Sequence, residues 1–369
     1  MAMAITVPER SLNTLPIDRR PKRMLRRGQE FVGFQDSKIE FLIEAQMEDP
    51  HNRREFLQRL AVLGGAVAFG TAAPKQDASP AVPLPKRTLG RTGINIPVLG
   101  LGLGPLGIAN FPPEELQAVV ETAIEDWGGP VLVDVQWDYG EAETNLAPLL
   151  KKRRADIFII MKTAKQEQAQ VVASIEESLG RLGIESADAV LLNNIGLLDL
   201  ERLFKPGGAL AGLQEARKRG LARYLGVSGH MLTQAFVRTL ESGEFDLAMF
   251  VVNFVDRHTY NFEGKVIPVA RKHNAGIVAM KVLGGSVSGY ERKDQRAKLA
   301  DSDVEPAIHY ALGVPGVCTA VIGCKNNEQV RLAGQAARRC RPMSGEQREA
   351  LMKHGEQLAK EWGQHLGEV

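Results

Sequence analysis

An aspartate, a tyrosine and a lysine stand at the ends of two consecutive apolar segments. Asp134 closes VLVD, Tyr139 follows five residues later, and Lys162 closes IFIIMK. A phenol has a pKa of about 10 and is a poor acid near neutral pH, but a neighbouring ammonium group strengthens it. A carboxylate beside the ammonium group would keep it charged and oriented. With Tyr139 as the acid, this set can protonate a carbonyl oxygen while a hydride attacks the carbon. The alternative is a structural ion pair of Asp134 and Lys162, with Tyr139 merely packed beside it.

The elements that carry these residues repeat along the chain. From about Val98 onward, short apolar segments alternate with amphipathic helical ones, which indicates a parallel sheet buried on both faces. Eight such units in roughly 290 residues match the size of a (β/α)8 TIM barrel. The predicted strands are 98–103, 131–135, 157–162, 188–193, 222–228, 247–253, 276–281 and 317–323.

A doubly wound sheet is the alternative α/β fold. It is disfavoured because no GxGxxG opens a helix after an early strand. The glycine-rich LGLGLGPLG segment leads into Pro112-Pro113, which we interpret as something other than the start of a helix. In a barrel, catalytic residues lie at the C-terminal ends of the strands, where Asp134 and Lys162 are predicted.

The composition excludes several classes of protein. The chain has 369 residues, of which 44% are hydrophobic and 24% charged, so it is too apolar to be disordered. The net charge of +2 does not favour nucleic acid as a partner. The three cysteines are too few for a disulfide framework and lack metal-ligand spacing, so no metal site is expected.

The segment 52–73 resembles a twin-arginine export signal. Arg53 and Arg54 precede Phe56-Leu57 and a weakly apolar run of Gly and Ala that is shorter than the roughly 20 residues of a lasting membrane span. The resemblance implies the twin-arginine translocase as a partner and a periplasmic location, or a cytoplasmic one if the signal is not used. The alternative, an amphipathic helix, is disfavoured because glycines are weak helix formers.

Five segments follow from these patterns. About fifty residues precede the arginine pair, which makes Met47 a candidate for the true start. We predict a basic, poorly ordered extension at 1–46, a signal segment at 47–73, a proline-rich linker at 74–85, the barrel at 86–342 and a C-terminal helix at 343–369.

The motifs from Lys86 to Pro342 resemble the aldo/keto reductase family. Asp134, Tyr139-Gly140 and Lys162 match the family's catalytic positions, and KRTLGRTGINIPVLGLG resembles its opening hairpin and first strand. SIEESLGRLGIESADAVLL, RGLARYLGVSGH and VIGCKNNEQV follow in family order. The resemblance implies a barrel that uses NADP(H) to reduce a small carbonyl substrate.

One catalytic position departs from the family pattern. The family usually has His at the end of strand four, where this chain has Asn193. An amide can donate a hydrogen bond to a carbonyl oxygen and orient it, but it cannot transfer a proton. The potassium-channel β-subunits, which resemble this family, also have Asn here.

The resemblance also implies cofactor contacts, some of them altered. Ser228 matches the serine that contacts the nicotinamide carboxamide, although Gly229 replaces the usual Asn. Met280 stands where an aromatic ring commonly stacks on the nicotinamide, and Lys281 could reach the pyrophosphate.

The segment VIGCKNNEQV resembles the adenosine-phosphate loop. Backbone N–H groups of Gly323 and Cys324, with Lys325 and Asn326, could bind a phosphate at a helix N-terminus. For Lys325 the alternative is a solvated loop lysine. The family's later Arg and Glu-Asn pair are replaced by Gln329 and by Leu332-Ala333.

Three functions remain open at this point. The first is an NADP(H)-dependent reductase that is exported already folded with its cofactor. The second is a catalytically impaired barrel that binds a nucleotide or other ligand, and the third is an enzyme whose tightly held dinucleotide is recharged by its own substrates. His230 and His258 are interpreted as residues of a loop or of the barrel mouth.

Overall fold

A computed structural model describes residues 82–285 and 297–369. The predicted extension 1–46, the signal segment 47–73 and most of the linker 74–85 lie outside the described residues. Among the described helices, none combines the length and the apolar character needed to cross a membrane.

Within the described ranges, eight parallel strands close into a barrel in which β10 pairs with both β9 and β3. The predicted (β/α)8 fold is confirmed. The barrel follows an antiparallel hairpin of β1 (Lys86–Thr88) and β2 (Asn95–Pro97). Its strands are β3 (Leu99–Gly102), β4 (Val131–Asp134), β5 (Ile157–Thr163), β6 (Ala187–Asn193), β7 (Ala222–Gly229), β8 (Leu247–Val251), β9 (Gly276–Met280) and β10 (Val317–Ile322).

Alternate residues of these strands face two different apolar environments. One set fills the barrel interior, where Leu89 and Ile96 of the hairpin pack against Leu132, Ile160 and Met249. The other set packs against the surrounding helices. Both faces of each strand are therefore buried, which explains the continuous apolar segments in the sequence.

Helices separate the strands. They are α1 (Gly104–Ile108), α2 (Pro113–Trp127), α3 (Ala142–Arg153), α4 (Gln168–Leu182), α5 (Leu200–Phe204), α6 (Ala209–Lys218), α7 (Thr233–Glu241), α8 (Phe262–Lys265), α9 (Ile267–Lys272), α10 (Val304–Gly313), α11 (Asn327–Arg339) and α12 (Gly345–Trp362). Short 3-10 turns occur at Gly90–Thr92, Arg154–Asp156, Ile195–Leu197, Asp256–His258 and Asp301–Asp303.

The interpretation of the glycine-rich segment was wrong. Helix α1 begins at Gly104, directly after β3, and Pro113 occupies the first turn of α2. Proline suits this position because the first N–H groups of a helix have no partner within it, and the fixed φ of proline is already helical. The Pro-Pro pair therefore starts a helix.

Most strands end one or two residues earlier than predicted. Strand β9 stops at Met280, because Lys281 has a φ of 54° and so leaves the extended conformation. The C-terminal helix α12 runs from Gly345, with Ser344 forming a capping box with Gln347, and a short tail of residues 363–369 follows it.

Candidate active site

The C-terminal ends of the strands direct a layer of polar side chains into the barrel. Side chains two residues apart on a strand face the same side. Asp134 follows the interior residue Leu132, Lys162 follows Ile160, and Asn193 follows Leu191. Ser228 and Met280 occupy equivalent positions on β7 and β9. The structure thus brings these five predicted residues to the same end of the barrel interior.

Asp134 and Lys162 form a buried ion pair on the neighbouring strands β4 and β5. The ammonium nitrogen Nζ lies 2.7 Å from Oδ1 and 2.8 Å from Oδ2 of the carboxylate. Only 3% of Asp134 and 5% of Lys162 is exposed. In such a low-dielectric environment each charge needs the other, so the carboxylate holds the lysine charged and fixes the direction of its ammonium group.

Tyr139 completes the predicted set from the loop after β4. Its hydroxyl oxygen lies 3.4 Å from Nζ of Lys162, and the same nitrogen is 5.5 Å from the centre of the phenol ring. Lysine Nζ is a donor only, so it donates to the tyrosine oxygen. This contact stabilises negative charge on the phenol oxygen and leaves the hydroxyl proton available to another acceptor.

Helix α1 holds the turn that carries Tyr139. A Cβ atom on Gly107 would lie 2.0 Å from the carbonyl oxygen of Tyr139, and one on Gly140 would lie 2.5 Å from the carbonyl oxygen of Gly107. Gly140 also has a φ of 51°, which L side chains rarely adopt. Two glycines are therefore needed for the close approach that positions the phenol.

Asn193 is engaged by a residue that the sequence did not single out. Its amide nitrogen Nδ2 donates to Oε1 of Gln136 over 3.3 Å, while the Gln136 amide donates to Asp138. In the described residues the buried Oδ1 of Asn193 has no hydrogen-bond partner. Gln136 and Asp138 lie in the QWDYG segment between Asp134 and Tyr139, and their position in that loop was the available signal.

The two candidate nicotinamide contacts are buried. Ser228 is fully enclosed, and within the described residues its hydroxyl Oγ makes no hydrogen bond. Met280 is 5% exposed and belongs to the interior apolar cluster. A buried hydroxyl without a partner is costly, so Ser228 is suited to a polar ligand group that enters the barrel from its open end.

Lys281 lies beside the ion pair. Its pKa is lowered to about 8 by burial and by the positive charge of Lys162, against the opposing effects of Asp256 and Asp134. The amide of Asn253 donates to its carbonyl oxygen over 2.9 Å. The structure thus places the ammonium group of Lys281 at the barrel mouth, and contact with a pyrophosphate stays a prediction.

The proposed phosphate loop forms the start of helix α11. The side chain of Asn326 caps this helix by accepting from the backbone nitrogen of Gln329 over 2.9 Å, and the Gln329 side chain accepts from Lys325 N over 2.8 Å. Cys324 is buried, whereas Lys325 is exposed. Gly323 packs against Pro105, because a Cβ atom there would lie 2.5 Å from the proline ring. Asn326 therefore shapes the loop, and its part in phosphate binding is untested.

Two further polar residues, Asp256 and His365, were missed in the sequence. Nε2 of His365 lies 2.8 Å from Oδ1 of Asp256, and both side chains are at most 9% exposed. More than a hundred residues separate them, so no local pattern could have paired them. No group of three or more His, Cys, Asp or Glu in the described part of the chain has the arrangement of a metal site.

Comparison with known proteins decides the family. The sequence profile of the aldo/keto reductase family matches residues 98–369, which include the whole barrel. The chain belongs to the aldo/keto reductase family. Its membership places the protein among oxidoreductases and confirms the resemblance seen in the sequence.

Individual aldo/keto reductases and related enzymes are distant. The chain is 27% identical over 154 residues to L-galactose dehydrogenase from Arabidopsis thaliana, a match that covers 39% of this chain and 48% of that protein. It is 21% identical over 310 residues to the uncharacterized oxidoreductase YqkF of Bacillus subtilis, covering 74% and 97% of the two chains.

Solved structures share the fold. PA4992 of Pseudomonas aeruginosa, assigned to the aldo-keto reductases, is 27% identical with a TM-score of 0.56, and the match covers 68% of this chain and 95% of that one. An aldo-keto reductase of Klebsiella pneumoniae, solved with NADPH, is 19% identical with a TM-score of 0.59 and coverages of 73% and 95%.

Proposed function

We propose that the protein reduces an aldehyde or ketone to an alcohol with NADP(H), with Tyr139 as the general acid. The observation that carries the proposal is the position of Lys162, whose Nζ lies 2.7 Å from Asp134 and 3.4 Å from the hydroxyl of Tyr139. A barrel whose role was only structural would not need a buried charge directed at a phenol.

The residues at the barrel mouth fit a nicotinamide dinucleotide. The buried Oγ of Ser228 is an unused hydrogen-bonding group in the described residues, and Met280 supplies an apolar surface beside it. These two would hold the nicotinamide end. The start of helix α11, with Gly323, Cys324, Lys325 and Asn326, would hold the adenosine phosphate, because a helix N-terminus favours anions. NADPH solved in the Klebsiella pneumoniae relative supports this choice of cofactor.

The chain's own residues account for the proton. When bound, NADPH supplies the hydride. Tyr139 gives its hydroxyl proton to the carbonyl oxygen, and the ammonium group of Lys162 stabilises the negative charge left on the phenol oxygen. Asp134 keeps that ammonium group charged and oriented. Asn193 lies in the same layer and orients the substrate without taking part in proton transfer.

A catalytically impaired binding barrel is the second candidate. It is favoured by the contact between Asn193 and Gln136, which occupies the amide nitrogen that would orient a carbonyl oxygen. Such a protein would bind NADPH or another ligand at the same mouth and turn nothing over.

Replacement of Tyr139 separates the two candidates. We expect the wild-type protein to bind NADPH in a fluorescence titration and to reduce simple aldehydes, and Tyr139→Phe to bind NADPH equally well while losing turnover by at least about 100-fold. Tyr224→Phe is the matched control, since its hydroxyl only donates to the carbonyl of Thr92 over 3.1 Å. Equal aldehyde reduction by the wild type and Tyr139→Phe would rule out the assigned acid. NADPH binding without any wild-type turnover would favour the binding barrel.

We also propose that the protein is exported by the twin-arginine translocase to the periplasm. Support comes from Arg53-Arg54 and the Gly- and Ala-rich run after them. Cell fractionation of the wild type and an Arg53→Lys/Arg54→Lys variant tests this, because only the wild type should reach the periplasm. N-terminal sequencing of the precursor tests Met47 as the start, which residues upstream of Met47 would contradict.

A further inference from the structure

Two histidines lie beside the candidate active site on separate segments of the barrel mouth. His230 follows β7, and His365 belongs to the tail after α12. The tail contacts the loop after β7: Leu232 N donates to the carbonyl of Glu368 over 3.3 Å, and a Cβ atom on Gly367 would lie 2.6 Å from Sδ of Met231. The two imidazoles therefore stand on adjoining strips of the same wall.

Asn194 determines which nitrogen of His230 carries the proton. Oδ1 of Asn194 accepts from Gly196 N over 3.2 Å, so its amide nitrogen Nδ2 is the atom that lies 3.4 Å from Nδ1 of His230. An amide nitrogen can only donate, which makes Nδ1 the acceptor and leaves the proton on Nε2. Burial and the charges of Lys281 and Lys162 lower the pKa of His230 well below its ordinary value, so the ring is neutral.

Asp256 orients His365 in the complementary way. The Asp256 carboxylate accepts from Nε2 of His365 over 2.8 Å and from the Asn253 amide over 2.6 Å. The rings of Trp362 and Tyr260 enclose the imidazole, with centroids 5.2 and 6.5 Å from its own. With the proton on Nε2, Nδ1 of the neutral ring is an acceptor, and in the described residues this buried atom has no hydrogen-bond partner.

We propose that Nε2–H of His230 and Nδ1 of His365 together bind a hydroxyl group of the substrate, so that the enzyme prefers hydroxy aldehydes and hydroxy ketones. A hydroxyl group accepts from one ring and donates to the other, whereas a carbonyl oxygen only accepts and an ammonium group only donates. The inference rests on the proposed reductase function. Its ground is a buried ring acceptor without a partner beside a donor of fixed direction.

The expected discrimination is large. A site that hydrogen-bonds a substrate hydroxyl rejects the analogue that lacks it, because the buried polar groups are then left unpaired. We expect kcat/KM for glycolaldehyde to exceed that for acetaldehyde by at least about 100-fold. A water molecule that stays bound between the two rings would satisfy them for both aldehydes, and the two kcat/KM values would then be similar.

Variants of the two histidines test the site. His230→Phe and His365→Leu should lower kcat/KM for glycolaldehyde to near the acetaldehyde value, which should itself change little. His258→Gln is the control, since this half-buried histidine lies on the Asp256–His258 turn and hydrogen-bonds the backbone of Met352. Equal use of the two aldehydes by the wild type, or an equal loss for both in the variants, would overturn the hydroxyl site.

A measurement without turnover separates this inference from the proposed function. In the full-length protein with 15N-labelled histidine, the His230 and His365 ring signals should report protons on Nε2, and ethylene glycol should shift both sets of signals. If neither aldehyde is reduced, the reductase function fails and the ring signals alone decide the hydroxyl site. Signals that ethylene glycol leaves unmoved, or a His230 proton on Nδ1, would contradict it.

Discussion

Single residues at the barrel mouth carry charges that depend on one another. Asp134 and Lys162 are almost completely buried and form a close pair, so neither has solvent to replace its partner. Removing one member of such a pair leaves an uncompensated charge in a low-dielectric environment, whereas a surface pair separates into water at little cost.

Lys162→Met should therefore destabilise the protein strongly. We expect the free energy of unfolding, measured with urea, to fall by about 3–5 kcal/mol because the Asp134 carboxylate is left unpaired. Lys272→Met is the control: its pair with Glu241 is largely exposed, and we expect a loss of less than about 1 kcal/mol. An Asp134→Leu/Lys162→Met variant should regain most of the stability lost by Lys162→Met. Equal losses for the two single variants would contradict this account.

Lys281 makes stability depend on pH in the alkaline range. Its pKa is lowered to about 8 in the folded protein from the ordinary value of 10.5, so between these values the unfolded chain holds a proton that the folded protein has lost. Stability should therefore rise with pH over this window, by at most about 3 kcal/mol. Urea unfolding of the wild type and Lys281→Met from pH 7.5 to 10.5 measures the effect, and parallel stability curves for the two proteins would refute it.

At the scale of the elements, helix α1 and the turn after β4 act as one unit. Gly107 and Gly140 let their backbones approach to within the radius of a single methyl group, and this contact sets the distance from Tyr139 to Lys162. The elements with the most demanding geometry are thus a five-residue helix and a turn, rather than the long helices around the barrel.

Gly107→Ala should displace Tyr139 without touching the ion pair. The new methyl group would lie 2.0 Å from the Tyr139 carbonyl oxygen, so the turn must move. We expect kcat for aldehyde reduction to fall at least about 10-fold, since small misplacements of a reacting group are costly, while NADPH binding persists. Gly180→Ala is the control, because a Cβ atom there meets nothing within 4 Å. An unchanged kcat would show that the turn adjusts freely.

At the scale of the whole molecule, the C-terminal tail ties the end of the chain to the barrel mouth. The hydroxyl of Tyr260 donates to the carbonyl of Gly367 over 3.1 Å and accepts from Leu366 N over 2.9 Å. His365 pairs with Asp256, and Trp362 packs on Gly284. The tail joins the loops after β7, β8 and β9 into one structure.

Deletion of residues 363–369 should destabilise the barrel beyond the loss of seven residues. It leaves the buried Asp256 carboxylate and the Tyr260 hydroxyl without these partners, and we expect the free energy of unfolding to fall by about 2–5 kcal/mol. Deletion of Val369 alone, which is 48% exposed, serves as the control and should have little effect. Identical urea midpoints for both truncations would refute a structural role for the tail.

The sequence by itself determined the fold and the catalytic set. Continuous apolar strands alternating with amphipathic helices predicted all eight barrel strands, and Asp134 and Lys162 followed from their places at strand ends. Both are local signals, because the strand period and the position of a residue on its strand depend only on neighbours in the chain. The start of α2 at Pro113 was misjudged, since Pro-Pro was taken as a break rather than as a first helical turn.

Only the tertiary structure decided how the mouth is completed. The contacts of Asn193 with Gln136, of Asn194 with His230 and of His365 with Asp256 join residues 36 to 109 positions apart. A side chain's hydrogen-bond partner depends on where closure of the barrel and packing of the tail place distant loops, and no periodicity in the sequence encodes those distances. The sequence therefore determined which groups could react, and the three-dimensional packing decided which groups surround them.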